Sequence, residues 1–180
     1  MMKNKKLDID KLITDRLILI PFTLKICRNI LNNDFSDLEI LHLKKGKSWP
    51  DVDVMDTMPR IINNLKKVDA PTGYESWMII KNDTFEVIGD LGFKGFNSEG
   101  ANIDLGYGII EEERQKGYAT EAVREIIKWA FSNNKVKEIT ANCFADNINS
   151  MNLLLKLNFT KKSIENNKAH WNLYNENYEP

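Results

Sequence analysis

A chain of 180 residues, 42% hydrophobic and 28% charged, is long enough to bury one sizeable core, so a single domain over 1–180 with its core within 12–175 is expected. A formal net charge of −1 excludes any global pull toward nucleic acid or an anionic membrane. Cys27 and Cys143 are isolated, which excludes a disulfide framework and fits a reducing cytoplasm; His42 and His170 lie far apart without cysteine neighbours, so no metal site is expected.

Lys3, Lys5 and Lys6 read as a solvated terminus with no apolar segment behind them, so no signal peptide is expected. The longest apolar run, Leu17-Ile18-Leu19-Ile20, is far too short to cross a membrane. Residues 14–20 read as a first strand, ended by Pro21. Thr23 is placed to cap a short helix from Leu24 to Leu31, and Ser36 a second one over 36–43. Residues 44–56 look loop-like, with Gly46 and Trp49-Pro50, and helical spacing resumes over 58–68. Pro71 and Gly73 mark a turn. Strands are expected over 76–81, 86–96 and 102–110, forming an antiparallel meander.

Ala119, Ala122, Val123, Ile126, Ile127 and Ala130 recur at helical spacing, with Glu121, Arg124, Glu125 and Lys128 on the other face. A strand over 136–143 follows, then a helix over 151–157 capped by Ser150, then a hairpin of 159–164 and 169–174. Strands followed by helix, strand, helix and hairpin imply an α+β fold, a mixed sheet with helices packed on it rather than a doubly wound nucleotide fold.

One segment carries chemistry. Arg114-Gln115-Lys116-Gly117-Tyr118-Ala119-Thr120 lies between a strand and the most regular helix. A glycine-bearing turn that opens a helix offers unpaired backbone N–H groups at the positive end of the helix dipole, a natural diphosphate site. Other nucleotide motifs fail: no Gly-Lys-Ser/Thr run exists, and the glycines of Gly89-Asp90-Leu91-Gly92-Phe93-Lys94-Gly95 have the wrong spacing and read as a bulged or closely packed strand.

Arg114 to Ala119 resembles the acetyl-CoA signature Gln/Arg-x-x-Gly-x-Gly/Ala of the GNAT N-acetyltransferase superfamily. The resemblance extends to its ribosomal-protein N-terminal (RimJ/RimL-type) branch. It is carried by Thr14-Asp15-Arg16-Leu17, Ile88-Gly89, Leu105-Gly106-Tyr107, Gly117-Tyr118-Ala119-Thr120-Glu121-Ala122, Asn147 with Ser150, and Lys156-Leu157 with Phe159. The match runs over 14–174. Two positions depart from it: Gln115 stands where Gly is common, and Asn158 replaces the usual Gly before Phe159. Asn tolerates the left-handed backbone, so the second change is mild.

The resemblance implies a mostly antiparallel sheet whose fourth and fifth strands splay around the pantetheine of acetyl-CoA. Backbone N–H groups of Gln115, Lys116, Gly117, Tyr118, Ala119 and Thr120 would hold the diphosphate, with charge from Arg114 and Lys116. Backbone groups of Ile109 and Glu111 would pair with the pantetheine, Asn147 would hydrogen-bond it, and Lys156 would reach the ribose phosphate. Transfer needs a base for the amine and a proton for the CoA sulfur. Asp104 or a water chain is the expected base, and Ser150 or Tyr107 the acid, although capping alone would account for Ser150. Nothing near Cys143 suggests thiolate activation, so an acyl-enzyme is disfavoured. Acceptor contacts are expected from Trp49, Glu75, Trp77 and Phe93, with Asp51, Asp53, Asp56 and Trp171, a set suited to a cationic amine. The implied partner is a protein N-terminal amine or a small-molecule amine, with no nucleic acid or membrane and with a homodimer left open. The rival reading is a catalytically silent CoA-binding or interaction module.

Overall fold

The computed structural model describes residues 10–132 and 134–179; Lys3, Lys5 and Lys6 lie outside them. Among the described residues, nine strands form one sheet. The elements in chain order are β1 (Leu12–Ile13), β2 (Leu17–Pro21), α1 (Leu24–Leu31), α2 (Ser36–Ile40), β3 (Lys44–Lys45) and α3 (Val52–Leu65). There follow β4 (Ser76–Lys81), β5 (Glu86–Asn97), β6 (Asn102–Ile109), a 3-10 turn (Glu111–Glu113) and α4 (Tyr118–Ser132). The chain closes with β7 (Glu138–Phe144), α5 (Ile148–Lys156), β8 (Thr160–Glu165) and β9 (Lys168–Tyr174). The sheet order is β1-β2-β4-β5-β6-β7-β9-β8, with β3 alongside β5. Pairing is antiparallel except for β3 with β5 and β6 with β7. A parallel neighbour needs a crossover, and the turn plus α4 supplies it between β6 and β7.

Local chemistry explains most boundaries. Thr23 accepts from the Ile26 N–H at 3.2 Å and starts α1 as expected. The helix α4 buries Ala122, Val123, Ile126 and Ala130, the stripe its spacing foretold. The Gly89–Gly95 run is indeed a closely packed, bulged strand: the β5–β6 register shifts between Phe93 and Phe96, and a Cβ at Gly89 would lie 2.1 Å from the Gly108 carbonyl oxygen.

Four expectations are corrected. Residues 14–20 do not form one strand, because Thr14 bonds Leu17 through both its N–H and its hydroxyl and folds a turn between β1 and β2. Ser36 is the first residue of α2, preceded by Phe35, and its own N–H donates to Asp34 Oδ1 at 2.9 Å. The presumed loop 44–56 contains β3 and the start of α3, which Asp51 caps by accepting from the Val54 N–H at 3.0 Å. The helix expected over 58–68 thus starts earlier, and Pro59 sits inside it, where it forgoes one backbone bond. Finally, Ser150 lies in the first turn of α5; the cap is Asn147, whose Oδ1 accepts from the Ser150 N–H at 3.0 Å.

Sheet faces matter for the site. Trp77 meets Trp129 of α4 with ring centroids 5.7 Å apart, so Trp77 and its partner Leu91 lie on the α4 face. Alternation puts Met78 and its partner Asp90 on the opposite face, where α3 lies against β5.

Candidate functional site

β6 and β7 pair only from Asn102↔Glu138 to Leu105↔Ala141. Beyond that point β6 runs on to Ile109 and β7 to Phe144, and the strands part. A groove of about 570 Å³ opens between them and continues to the head of α4. Ile110 N–H donates to Ile88 O at 3.0 Å. By antiparallel alternation, the backbone groups of Tyr107 and Ile109 then point away from β5 into the gap. They form a short unpaired strand edge able to accept an extended ligand.

The head of the groove is the turn before α4. Gln115 and Gly117 both have left-handed backbones, at φ 60 and 84. Together they curl the chain so that, among the described residues, none of the N–H groups from Gln115 to Thr120 donates to another group. Unpaired donors at a helix N-terminus form an anion cradle.

A clamp from β1–β2 holds this turn. Arg16 lies against Glu121 through Nε at 2.7 Å and NH2 at 2.6 Å, and its backbone N–H reaches the same carboxylate at 2.9 Å. Thr14 Oγ1 adds a 2.6 Å bond to Glu121. Arg16 NH1 donates to the Lys116 carbonyl at 2.9 Å, and its guanidinium lies 4.6 Å from the centre of the Tyr118 ring. Burial pushes the Glu121 carboxyl up, but these bonds outweigh it and hold it below its usual range.

The groove gathers most of the residues expected around a cofactor. Gln115, Gly117, Tyr118, Ala119 and Thr120 line its head, with Arg114 beside them. Tyr107 and Ile109 line one side, and Asn147, Ser150 and Lys156 of the α5 region the other. Tyr107 Oη and the Ser150 carbonyl are 3.4 Å apart, so both expected acids stand together. Burial raises the Tyr107 phenol, which therefore keeps its proton at neutral pH.

Some residues are placed differently from expectation. The Glu111 carbonyl closes the 3-10 turn by accepting from Arg114 N–H at 3.1 Å, and Glu111 does not line the groove. The Ile109 carbonyl accepts from Arg114 Nε at 2.8 Å, which leaves the N–H of Ile109 and the backbone of Tyr107 for a ligand. The Lys116 ammonium turns back to Glu113 at 2.9 Å. Glu113 also meets Lys81 at 3.2 Å, and Glu112 accepts from both N–H and hydroxyl of Ser48, so these two carboxylates brace the turn.

A second cavity, of about 350 Å³, lies on the α3 face and meets the groove along Tyr107, Gly108, Ile109 and Arg114. Its floor is sheet, with Ser76, Asp90, Gly92, Gly106 and Gly108; its wall is α3, with Asp53, Thr57, Arg60 and Asn64. Of the residues expected at the acceptor, Phe93, Asp51, Asp53 and Asp56 line this cavity. Trp49, Glu75 and Trp77 do not. Trp77 is fully buried on the other face and donates its indole N–H to Gly73 O at 3.0 Å. Glu75 accepts from the Thr72 N–H and hydroxyl at 2.8 and 2.9 Å, closing the turn before β4. Trp49 is 2% exposed and lies outside both cavities. Trp77→Ala is therefore expected to cost about 3–5 kcal/mol of stability, the usual range for emptying a large aromatic site. A thermal or urea unfolding curve checks this, and an unchanged midpoint would return Trp77 to the acceptor site.

Asp104 is also engaged: it forms an ion pair with Lys94 and accepts from Thr140 Oγ1 at 2.9 Å and from Asn142 Nδ2 at 3.4 Å. It lines neither cavity. Asp90, which sequence reading absorbed into the glycine-rich strand, sits on the cavity floor. Burial, then the charges of Asp51 and Asp53 against that of Arg60, pushes its carboxyl up to about 7. Its surface is not fully sealed, yet protein surrounds it closely enough for desolvation to dominate. A lone carboxylate among Val87, Ile88 and Leu91 in a central strand was the available signal.

Cys143 has its thiol raised by burial, so a thiolate nucleophile there is disfavoured. Among the described residues no group of His, Cys, Asp and Glu is placed to hold a metal ion, and no helix is long and apolar enough to cross a membrane.

Comparison with known proteins gives a consistent result. The Acetyltransferase (GNAT) domain matches residues 16–160. An uncharacterized N-acetyltransferase of Bacillus subtilis (strain 168), YjdG, is 32% identical over 158 residues, covering 88% of this chain and 94% of that relative. Among solved structures, the ribosomal-protein-S5-alanine acetyltransferase of Vibrio fischeri superposes with a TM-score of 0.65 at 15% identity, over 94% of this chain and 99% of that one. The microcin C7 self-immunity acetyltransferase, solved with acetyl-CoA and AMP, superposes with a TM-score of 0.60 at 17% identity, over 89% of this chain and 93% of that one.

Proposed function

This chain belongs to the GNAT acetyltransferase family, and from that premise we propose that it transfers the acetyl group of acetyl-CoA to a primary amine by direct attack in a ternary complex. The observation that carries this reading is the run of undonated N–H groups from Gln115 to Thr120 at the head of a groove flanked by an open strand edge. The turn suits the diphosphate. The Tyr107–Ile109 edge suits the amide-bearing pantetheine, which would lie there as an added strand. Asn147 spends its side-chain oxygen on the Ser150 N–H, so its NH₂ is the group left for a pantetheine carbonyl.

Lys156 is exposed at the groove's rim and suits the ribose phosphate. Lys156→Ala is expected to weaken acetyl-CoA binding by about fivefold to tenfold, in the range of a partly screened charge contact. Binding of dephospho-CoA should barely change. Parallel calorimetric titrations check this, and equal losses for both ligands would remove Lys156 from phosphate recognition.

In the reaction the amine nitrogen forms a bond to the thioester carbon, the carbon–sulfur bond breaks, and the sulfur takes a proton. The Tyr107 phenol, which donates to the Ser150 carbonyl, or the Ser150 hydroxyl suits that donation; both residues line the groove. The acceptor enters through the α3 cavity, whose mouth carries Asp51, Asp53 and Asp56. Asp51, Asp53, Asp56 and Asp90 outnumber Arg60, Lys94 and Arg114 in its lining, which favours a cationic amine, either a protein N-terminus or a small molecule. Multiple-turnover release of free CoA thiol across an amine panel tests the proposal. Tight acetyl-CoA binding with no amine turned over would instead favour a silent CoA-binding module.

A further inference from the structure

We propose that Asp90 is the base that receives the proton of the acceptor amine, an inference that rests on the acetyl-transfer reading above. Four observations place it there. First, Asp90 faces the acceptor cavity from β5, on the sheet face opposite α4. Second, it pairs in register with Gly108, whose neighbours Tyr107 and Ile109 form the open edge of the acetyl-CoA groove, so it stands where the two cavities meet. Third, a Cβ at Gly106 or Gly108 would meet no atom within 4 Å, so the floor beside Asp90 is open space, and on that floor, which Ser76 also lines, Asp90 carries the charged group. Fourth, among the described residues Asp90 has neither a hydrogen-bond partner nor an ion pair, whereas Asp104 has Lys94, Thr140 and Asn142.

A buried carboxylate without a partner is costly to keep, and a cationic amine would supply the missing counter-charge. The ammonium form enters past the acidic mouth and passes one proton to Asp90. The neutral nitrogen then attacks the thioester carbon; as the C–S bond breaks, the departing sulfur takes a proton from Tyr107 or Ser150, and the second proton released by the nitrogen restores that acid. The proton on Asp90 leaves to solvent after the product departs.

The charged and titratable groups around it are few. Asp51, Asp53 and Arg60 approach from α3, and Cys27 from α1. Asp56, Tyr107, Arg114 and Lys94 line the same cavity, Arg114 paired with Asp53 at 3.8 Å and Lys94 with Asp104. Within this setting the Asp90 carboxyl titrates at about 7. The protein therefore needs it ionised, and kcat/KM should fall about tenfold per pH unit below about 7 and level off above it.

The test compares wild type, Asp90→Asn and Asp104→Asn in three measurements. These are CoA-thiol release with spermidine and with an alanine-initiated peptide, calorimetric binding of acetyl-CoA, and a carbon-13 carboxyl titration of Asp-labelled protein. The expected result is that Asp90→Asn loses at least about 100-fold in kcat and its acid limb near 7, with acetyl-CoA affinity unchanged. Its Tm at pH 8 should rise. A carboxyl raised in the folded state destabilises that state once pH exceeds its unfolded value, and the loss is complete above the folded value. Asp104→Asn should keep the limb near 7. Loss of the limb in Asp104→Asn with its retention in Asp90→Asn would overturn the proposal and restore Asp104 as base. An Asp90 carboxyl signal titrating in the ordinary range would overturn it as well, whatever the activity. Absence of both acetyl-CoA binding and turnover in wild type would instead sink the transferase reading itself.

Discussion

Gly117→Glu is expected to abolish acetyl-CoA binding, with the affinity falling by about 100-fold or more, since the added carboxylate repels the diphosphate and the strained turn misaligns its backbone donors. Gly117 holds φ at 84, where a side chain is strained, and a Cβ there would lie 3.3 Å from Arg16 NH2. A glutamate at this position would also bring a carboxylate to the cradle that is meant for phosphate. The fold should survive, because the strain of one left-handed residue costs only about 1–2 kcal/mol. Gly117→Asn separates the two causes, since asparagine tolerates this backbone and carries no charge; it should retain more affinity than Gly117→Glu. Calorimetry with a circular-dichroism melt on each variant checks both claims. Unchanged acetyl-CoA affinity in folded Gly117→Glu would place the diphosphate elsewhere.

Glu121→Gln is expected to weaken acetyl-CoA binding about tenfold and to lower stability by about 1–2 kcal/mol, the usual worth of charge-assisted hydrogen bonds at a partly exposed site. Arg16 transmits the effect. Its guanidinium joins Glu121 to the Lys116 carbonyl, so one side chain ties the β1–β2 corner to both the turn and the first turn of α4. Glutamine keeps the shape but removes the charge that holds Arg16 in place. The pH dependence follows from the lowered Glu121 carboxyl. Stability from this group is fully present above the unfolded carboxyl value, about 4.3, and is lost as pH falls through the lower folded value. The wild-type advantage over Glu121→Gln should therefore shrink in acid. If Tm drops while acetyl-CoA affinity holds, the clamp supports the fold without shaping the cradle.

The clamp also gives a physical account of two motifs that sequence reading could only set side by side. Thr14-Asp15-Arg16-Leu17 and Gly117-Tyr118-Ala119-Thr120-Glu121-Ala122 are about a hundred residues apart, yet Thr14 and Arg16 bond directly to Glu121. Local features were legible in the sequence. The α4 stripe, the Thr23 cap and the unpaired donors of the turn depend on spacing within a few residues. What failed depended on contacts between distant segments. Asn147 and Ser150 each satisfy the chemistry of a helix cap, and only the backbone path selects Asn147. Gly46 and Trp49-Pro50 made 44–56 look like loop, although Asp51 already caps a helix there. Trp77 and Glu75 looked like acceptor contacts because aromatic and acidic residues suit a cation, but alternation along β4 and the turn at Thr72 direct them inward. Asp90 gained its place only when β5 met β6 and α3 closed over them.

The central claim is that the groove between β6 and β7 and the turn at its head bind acetyl-CoA. The most direct measurement is a calorimetric titration of the purified protein with acetyl-CoA, with dephospho-CoA as comparator. The account predicts saturable binding at one site per chain, weaker when the ribose phosphate is missing. No heat of binding at near-millimolar acetyl-CoA would mean that the turn from Arg114 to Thr120 is only the start of a helix, and would contradict the account.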